Sequence, residues 1–188
     1  MMTSARKLVF ILSFVILSCN SSSKNNIDEI VSIVGRTMGT TYSVKYATAV
    51  KSNDNIIENK NKIEEILRNV NMQMSTYIAE SEISKFNRMR NTEWVSISED
   101  FAFVVQSSFE YYDMSGGLYD ITVMPLVNLW GFGPDKFIDT PSTANIDSVL
   151  AFVGQDLIEI QDSRIRKKDP RVQIDLSSIA KGFAVDKI

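Results

Sequence analysis

Residues 115–134 have the sequence SGGLYDITVMPLVNLWGFGP, which combines glycines and a proline with large apolar side chains. Glycine and proline are typical of loops, whereas large apolar residues are usually buried in a core. The apolar residues of this stretch include Tyr119, Leu126, Leu129, Trp130 and Phe132. The stretch therefore combines two patterns that normally occur apart, and the rest of the sequence has to explain why.

Composition limits the class of protein. The chain has 188 residues, of which 44% are hydrophobic and 23% charged, enough to bury the core of one ordinary domain. Its formal net charge is −3. Proteins that bind nucleic acid concentrate Lys and Arg on one surface, so the charge argues against a nucleic-acid partner.

The N-terminal residues resemble an export signal. Arg6 and Lys7 precede an apolar run, residues 8–17, that is too short to span a bilayer as an ordinary helix. The sequence ILSC at 16–19 then resembles a bacterial lipoprotein cleavage box, in which Cys19 would receive the lipid. A plain secretory signal that happens to contain a cysteine is the alternative. Both interpretations predict export.

Cys19 is the single cysteine, so the chain cannot form an intramolecular disulfide, and this favours a lipid role for the thiol. We expect a lipoprotein signal peptide over 1–18 and a flexible polar tether over 19–28. A folded domain is expected over 29–188. The predicted location is the membrane surface, facing the periplasm or the cell exterior.

Hydrophobic periodicity predicts a mixture of strands and helices without regular βαβ alternation, which indicates an α+β fold. Ser81 and Ser98 are expected to cap helices, and Ser75-Thr76-Tyr77 is expected to form a turn. The predicted strands are 29–35, 40–47, 94–97, 157–161, 165–167 and 172–175. The predicted helices are 54–74, 82–87, 99–114 and 145–153, with another that begins near 177.

Several kinds of catalytic site are excluded by composition. The chain has no histidine, so it cannot contain a Ser-His-Asp triad, a Cys-His pair or a His-ligated zinc ion. The loop GRTMG at 35–39 lacks the lysine and serine of a phosphate-binding P-loop. Carboxylates, hydroxyls and carbonyls remain, and these ligands suit Mg²⁺ or Ca²⁺.

Four clusters occur in a characteristic order: GTTYSV at 39–44, MSTY at 74–77 with SEISKFN at 81–87, the stretch 115–134, and DLSSIAKG at 175–182. Together they closely resemble the ApbE family of FAD:protein FMN transferases, over a region from about Val34 to Ile188. The resemblance implies an ApbE-like, T-fold-like architecture of mixed antiparallel sheets with packed helices.

The resemblance also implies roles for individual residues. Tyr77 corresponds to a tyrosine that stacks on the flavin, and Met38 to a residue that contacts it. Asp175 and Lys181 match positions that contact FAD, and Ser178 matches the position whose backbone carbonyl binds Mg²⁺. Structural roles are the alternatives: Tyr77 covering a helix end, Met38 filling a core gap and Lys181 exposed to solvent.

The stretch 115–134 is explained by the same resemblance. Leu118, Tyr119 and Asp120 match positions that line the FAD site, and the glycines let the main chain pass close to the dinucleotide. We expect Trp130 and Phe132 to pack beneath that pocket wall. A simple core role is the alternative for Trp130. Gly182, within a helical pattern, suggests the close approach of a ligand or another backbone, and Asp186 is expected to be structural.

The implied activity is Mg²⁺-dependent transfer of FMN from FAD to a Thr or Ser hydroxyl of an acceptor protein, with release of AMP. In the family, an aspartate, a threonine and a histidine segment further along the chain complete the site. We therefore expect an N-terminal fragment that holds no catalytic residue of its own. The alternatives are a non-catalytic FAD-binding envelope lipoprotein and a structural lipoprotein without a ligand.

Overall fold

The structure is a computed structural model and describes residues 29–49, 52–134 and 140–188. The predicted signal peptide, Cys19 and the tether lie outside these ranges. Within the described residues the strands are β1 (Glu29–Thr37), β2 (Thr40–Thr48), β3 (Val95–Ser96), β4 (Ile158–Gln161) and β5 (Arg164–Lys167). The helices there are α1 (Asn53–Met74), α2 (Glu82–Arg88), α3 (Glu99–Met114), α4 (Met124–Leu129), α5 (Thr143–Leu150) and α6 (Ser177–Lys187). This mixture confirms the predicted α+β class.

Strands β1 and β2 form an antiparallel hairpin whose register runs from Glu29 opposite Thr48 to Thr37 opposite Thr40. Two residues, Met38 and Gly39, make the connection, with φ angles of 48° and 73°. Positive φ at both positions is typical of the type I′ turn, whose twist matches that of paired strands. The predicted pair of strands is confirmed, but the connection expected over 35–39 is shorter, because Gly35, Arg36 and Thr37 belong to β1.

Helix α1 supports the core with one apolar face. Its buried residues Ile63, Leu67, Val70 and Met74 recur at helical spacing. The helix contacts α2, α3, α6 and β1. The predicted helix 54–74 is therefore confirmed almost to the residue. No helix among the described residues combines the length and the apolar character that crossing a membrane requires.

The second sheet is antiparallel, with strand order β3-β5-β4. It confirms the predicted strands near 94–97, 157–161 and 165–167. The predicted strand 172–175 is wrong, because this segment is not part of a sheet. Its side chains alternate like those of a strand, with Val172 and Ile174 fully buried. Its backbone, however, binds the side chains of Asn87 and Lys167 and single carbonyls outside any strand.

Serine caps set the ends of three helices. Ser81 and Ser98 accept hydrogen bonds from backbone amides at the starts of α2 and α3, as predicted. The helix predicted at 145–153 instead begins at Thr143, because Ser142 and Asn145 form a reciprocal capping box.

The stretch 115–134 contains a short 3₁₀ turn, Ile121–Val123, followed by α4. Its core contribution comes from Ile121, Thr122, Met124 and Pro125, which are buried. Trp130 and Phe132 are 48% and 76% exposed. In the described part of the chain they therefore do not pack beneath a pocket wall as predicted, and the alternative core role of Trp130 is wrong as well. The chain turns at Gly131, where φ is 74°, directly after α4 has ended.

Candidate functional site

A cleft of about 940 Å³ lies between the β1–β2 turn, α1, the turn after α1, the end of α4 and the start of α6. Four of the residues predicted to bind FAD line it: Met38, Tyr77, Asp175 and Lys181. They come from two of the four sequence clusters, the second and the fourth, and from the turn next to the first one. The fold thus brings together side chains that are far apart in the sequence.

Met38 reaches the cleft because of its place in the hairpin turn. It adopts φ 48°, a left-handed conformation that costs a residue with a Cβ atom roughly 1 kcal/mol. Asn and Gly are the residues that such a turn prefers. Methionine therefore makes this turn less stable than Asn or Gly would. Its side chain lines the cleft and packs against the core.

Tyr77 belongs to a turn that the serines of the second cluster hold. The hydroxyl of Ser81 donates to the carbonyl of Ser75 at 2.6 Å, and the hydroxyl of Ser84 lies 3.3 Å from the carbonyls of Ser75 and Thr76. Tyr77 itself is 69% exposed. Its hydroxyl donates to the carbonyl of Phe132 at 3.0 Å. The ring is therefore anchored at its polar end while its body remains accessible.

Asp175 and Lys181 are placed by the start of α6. The amide of Asp175 donates to the carbonyl of Ile121 at 2.7 Å, and its carboxylate accepts from the amide of Ser177 at 2.7 Å. Lys181 lies on the same helix, is exposed, and forms no ion pair with the described residues. A carboxylate and a free ammonium group thus share one wall of the cleft.

The other predicted site residues do not line this cleft in the described part of the chain. Leu118 is 92% exposed, and Asp120 caps its own turn by accepting from the amide and hydroxyl of Thr122 at 2.7 and 2.6 Å. The hydroxyls of Tyr119 and Ser178 lie 3.0 Å apart. That bond joins the stretch 115–134 to α6 beside Ser177, which does line the cleft. The roles assigned to these four residues remain predictions.

Sequence reasoning missed one wall of the cleft. Glu64, Arg68 and Asn71 of α1 line it, and so does Arg36 of β1. Their spacing of three to four residues places the α1 members on one helical face. In the sequence alone, this face has the composition of any solvated helix face. The sequence does not show that this face of α1 lies beside the β1–β2 hairpin, and that contact is what forms the wall.

Two of these side chains bind the hairpin. The amide nitrogen of Asn71 donates to the hydroxyl of Thr37 at 2.9 Å. The hydroxyl of Tyr42 donates to the carboxylate of Glu64 at 2.6 Å. Burial, and then this bond to Glu64, raises the pKa of Tyr42 to about 12. The cleft wall is therefore held by polar contacts between α1 and the hairpin.

The described residues contain no group of three or more His, Cys, Asp or Glu side chains that could hold a metal ion. Asp175 and the residues at the start of α6 offer oxygen atoms, which are the ligands that Mg²⁺ prefers. This part of the chain can therefore supply at most some of the ligands of a magnesium ion.

Comparisons with known proteins match this chain to one family. Residues 38–188 match the model of the ApbE family. An FAD:protein FMN transferase of Haemophilus influenzae is 37% identical over 97% of this chain and 55% of its own length. One from Vibrio cholerae is 37% identical over 85% of this chain and 48% of its own. The chain spans about half the length of the curated relatives it matches.

Solved structures give the same result for the fold. The flavin transferase ApbE from Vibrio cholerae superimposes with a TM-score of 0.80 at 36% identity, covering 85% of this chain and 52% of that chain. The apo form of the Pseudomonas stutzeri flavinyl transferase ApbE gives a TM-score of 0.76 at 32% identity, covering 86% and 52%. Both likenesses bear out the predicted mixed antiparallel architecture with packed helices.

Proposed function

This chain belongs to the ApbE family, and on that premise we propose that it forms the FAD-binding part of an FAD:protein FMN transferase. The observation that carries the proposal is the meeting of Met38, Tyr77, Asp175 and Lys181 in one cleft. The relatives that are named as transferases of this kind support it.

The proposed reaction moves FMN from FAD to a Thr or Ser hydroxyl of an acceptor protein. The hydroxyl oxygen forms a bond to the FMN phosphorus, and the bond from that phosphorus to the bridging oxygen of the pyrophosphate breaks. AMP leaves with the bridging oxygen, and the hydroxyl loses its proton. Positioning and charge neutralisation dominate catalysis in phosphoryl transfer of this type.

The cleft has properties that suit FAD as the substrate. Its volume of about 940 Å³ lies near the upper end of the range for small-molecule sites. The accessible ring of Tyr77 offers a stacking surface for the isoalloxazine. Lys181 offers positive charge to the pyrophosphate, and Asp175 can accept a hydrogen bond from a hydroxyl of the nucleotide.

Mg²⁺ enters the proposal from the family resemblance, with the backbone of Ser178 as one ligand. When bound, the ion would neutralise charge on the pyrophosphate. This chain's own residues bind and orient the dinucleotide. Leu118, Tyr119 and Asp120 are proposed to contact FAD from the loop beside α6.

We propose further that the protein is exported and anchored through a lipid on Cys19, so that FAD and the acceptor meet it at the membrane surface. The motivation is the sequence ILSC after a short apolar run. Incorporation of labelled palmitate that is lost in Cys19→Ser tests this part. An unlabelled wild-type protein would refute it.

The decisive experiment uses the intact protein purified with its lipid anchor in detergent. We expect FAD, Mg²⁺ and exported proteins of the same cell to yield AMP and a protein band with covalent flavin fluorescence. The control reaction omits Mg²⁺. FAD binding without AMP would favour the non-catalytic binding protein, and the absence of FAD binding would refute the proposal.

A further inference from the structure

We propose that Asn87 and Lys167 are positioning residues for FAD binding, because they hold the segment 172–175 and thereby fix Asp175 in the cleft. The inference rests on the proposed function. Neither residue lines the 940 Å³ cleft itself. Each acts through the backbone of the segment 172–175, which was predicted as a strand but is not part of a sheet.

Asn87 takes the place of a neighbouring strand. Its side-chain nitrogen donates to the carbonyl of Ile174 at 2.8 Å, and its side-chain oxygen accepts from the amide of Ile174 at 2.8 Å. Both backbone groups of Ile174 are thus satisfied by one buried amide, as a strand partner would satisfy them. Aspartate would lose the donor, and leucine would lose both groups.

Lys167 holds the same segment from the end of β5. Its ammonium group donates to the carbonyl of Val172 at 3.0 Å and lies 3.3 Å from the carbonyl of Asn87. The side chain is fully buried, and no carboxylate among the described residues binds it. Burial, and then the charge of Arg90, lower its pKa to about 8. A buried cation is costly unless its donors are paired, and these two carbonyls pair this one.

The segment carries this restraint directly to the cleft. Val172, Ile174 and Leu176 are fully buried, whereas Asp175, between the last two, lines the cleft. The amide of Asp175 binds Ile121, and its carboxylate binds the first residue of α6. A displacement of Ile174 therefore moves both Asp175 and the helix that bears Lys181.

A positioning role predicts an effect on FAD that acts through Asp175. We expect Asn87→Ala and Lys167→Met each to raise the FAD Kd about tenfold or more, the scale at which ~1 Å misplacements act. The KM for FAD in AMP release should rise more than kcat falls. Asn87→Asp, which keeps the acceptor, should give an intermediate Kd and provides a milder variant if the others fold poorly.

The matched control is Ser108→Ala. Ser108 is also buried, but its hydroxyl binds Val104 within α3 and does not contact the segment. We expect this control to lower Tm while leaving the FAD Kd within about twofold of the wild type.

A double-mutant cycle separates positioning from general destabilisation. In an Asp175→Ala background, Asn87→Ala should raise the FAD Kd by clearly less than it does in the wild-type background, because Asp175 is gone and only the position of Lys181 can still be affected. The inference would be overturned if the fold-increases of the FAD Kd caused by Asp175→Ala and Asn87→Ala simply multiplied in the double variant. An unchanged Kd in both Asn87→Ala and Asn87→Asp would also overturn it. If wild-type protein fails to bind FAD, the proposed function falls and the inference with it. Wild-type binding with unaffected variants refutes the positioning role alone.

Discussion

The hydroxyl of Tyr77 donates a hydrogen bond to the backbone carbonyl of Phe132, 3.0 Å away and 55 residues further along the chain. The bond ties the turn after α1 to the end of the stretch 115–134. Both residues line the cleft. One side chain thus offers an aromatic surface to a ligand and fixes the loop opposite.

This double role makes Tyr77→Phe and Tyr77→Ala different tests. The phenylalanine variant keeps the stacking surface and should weaken FAD binding only about twofold to fivefold. The alanine variant should weaken it about tenfold or more, because an aromatic–ring stack contributes about 1–3 kcal/mol. Fluorescence titration with FAD measures both. Phe103→Ala, an exposed aromatic of α3 outside the cleft lining, is the control. Equal affinities for Tyr77→Ala and wild type would contradict the site assignment.

Asp175 combines a local cap with a charge in the cleft. Asp175→Ala removes the acceptor for the Ser177 amide and should destabilise the protein by about 1 kcal/mol as well as weakening FAD binding. Asp175→Asn keeps an acceptor at that position, so Tm should change little while FAD binding still falls. Thermal unfolding and FAD titration separate the two effects. Asp186→Asn, which lies in α6 but outside the cleft lining, should change neither. Wild-type affinity in Asp175→Asn would show that the carboxylate charge is not used.

Met38 occupies a turn position that suits asparagine better. Met38→Asn should keep or raise Tm, because the left-handed conformation is less costly for Asn. It should also weaken FAD binding, because the side chain that lines the cleft is lost. Thermal unfolding should therefore show an equal or higher Tm for Met38→Asn, and FAD titration should show a higher Kd. A fall in Tm with unchanged affinity would indicate that Met38 serves the core alone.

Lys167 predicts a specific pH dependence of stability. Burial lowers the pKa of Lys167 from its ordinary 10.5 to about 8 in the folded protein, so between these values the unfolded chain binds more protons. Stability must therefore rise with pH in this window. Relative to Lys167→Met, the unfolding free energy of wild type should gain about 2 kcal/mol between pH 7.5 and 10. Urea unfolding of both proteins at the two pH values measures it. A constant difference would show that Lys167 is not buried as a perturbed amine.

Gly182 tests another expectation from the sequence. A Cβ atom placed there would meet no other atom within 4 Å among the described residues. The suggested close approach of another backbone is therefore not seen. Gly182→Ala should stabilise α6 by about 0.5–1 kcal/mol and leave FAD affinity unchanged, because Gly182 lies outside the cleft lining. Reduced affinity in the alanine variant would instead support the approach of a ligand at this glycine.

Local patterns were enough to predict much of the fold. Helical spacing of Ile63, Leu67 and Val70 identified α1, and the serine caps at 81 and 98 located two more helices. These signals act within a few residues of the chain, so a single sequence contains them.

What the sequence could not reveal depends on distant partners. The alternation at 172–176 is the pattern of a strand, and only the three-dimensional fold shows that Asn87 replaces the neighbouring strand. Arg36, Glu64 and Arg68 look like ordinary solvated residues until the hairpin and α1 come together. The solvated face of a helix and the polar wall of a cleft have the same composition, and periodicity cannot separate them.

The paired hydrogen bonds between Asn87 and Ile174 span 87 residues of chain. We expect contacts of such long sequence separation to form late, because the entropy of closing the loop is lost before the contact itself can stabilise the chain. The Asp175 side of the cleft is therefore absent from states in which only the hairpin and α1 have formed. We therefore expect the chain to bind FAD only once the contacts of the segment 172–175 have formed, and not in states that contain the hairpin and α1 alone.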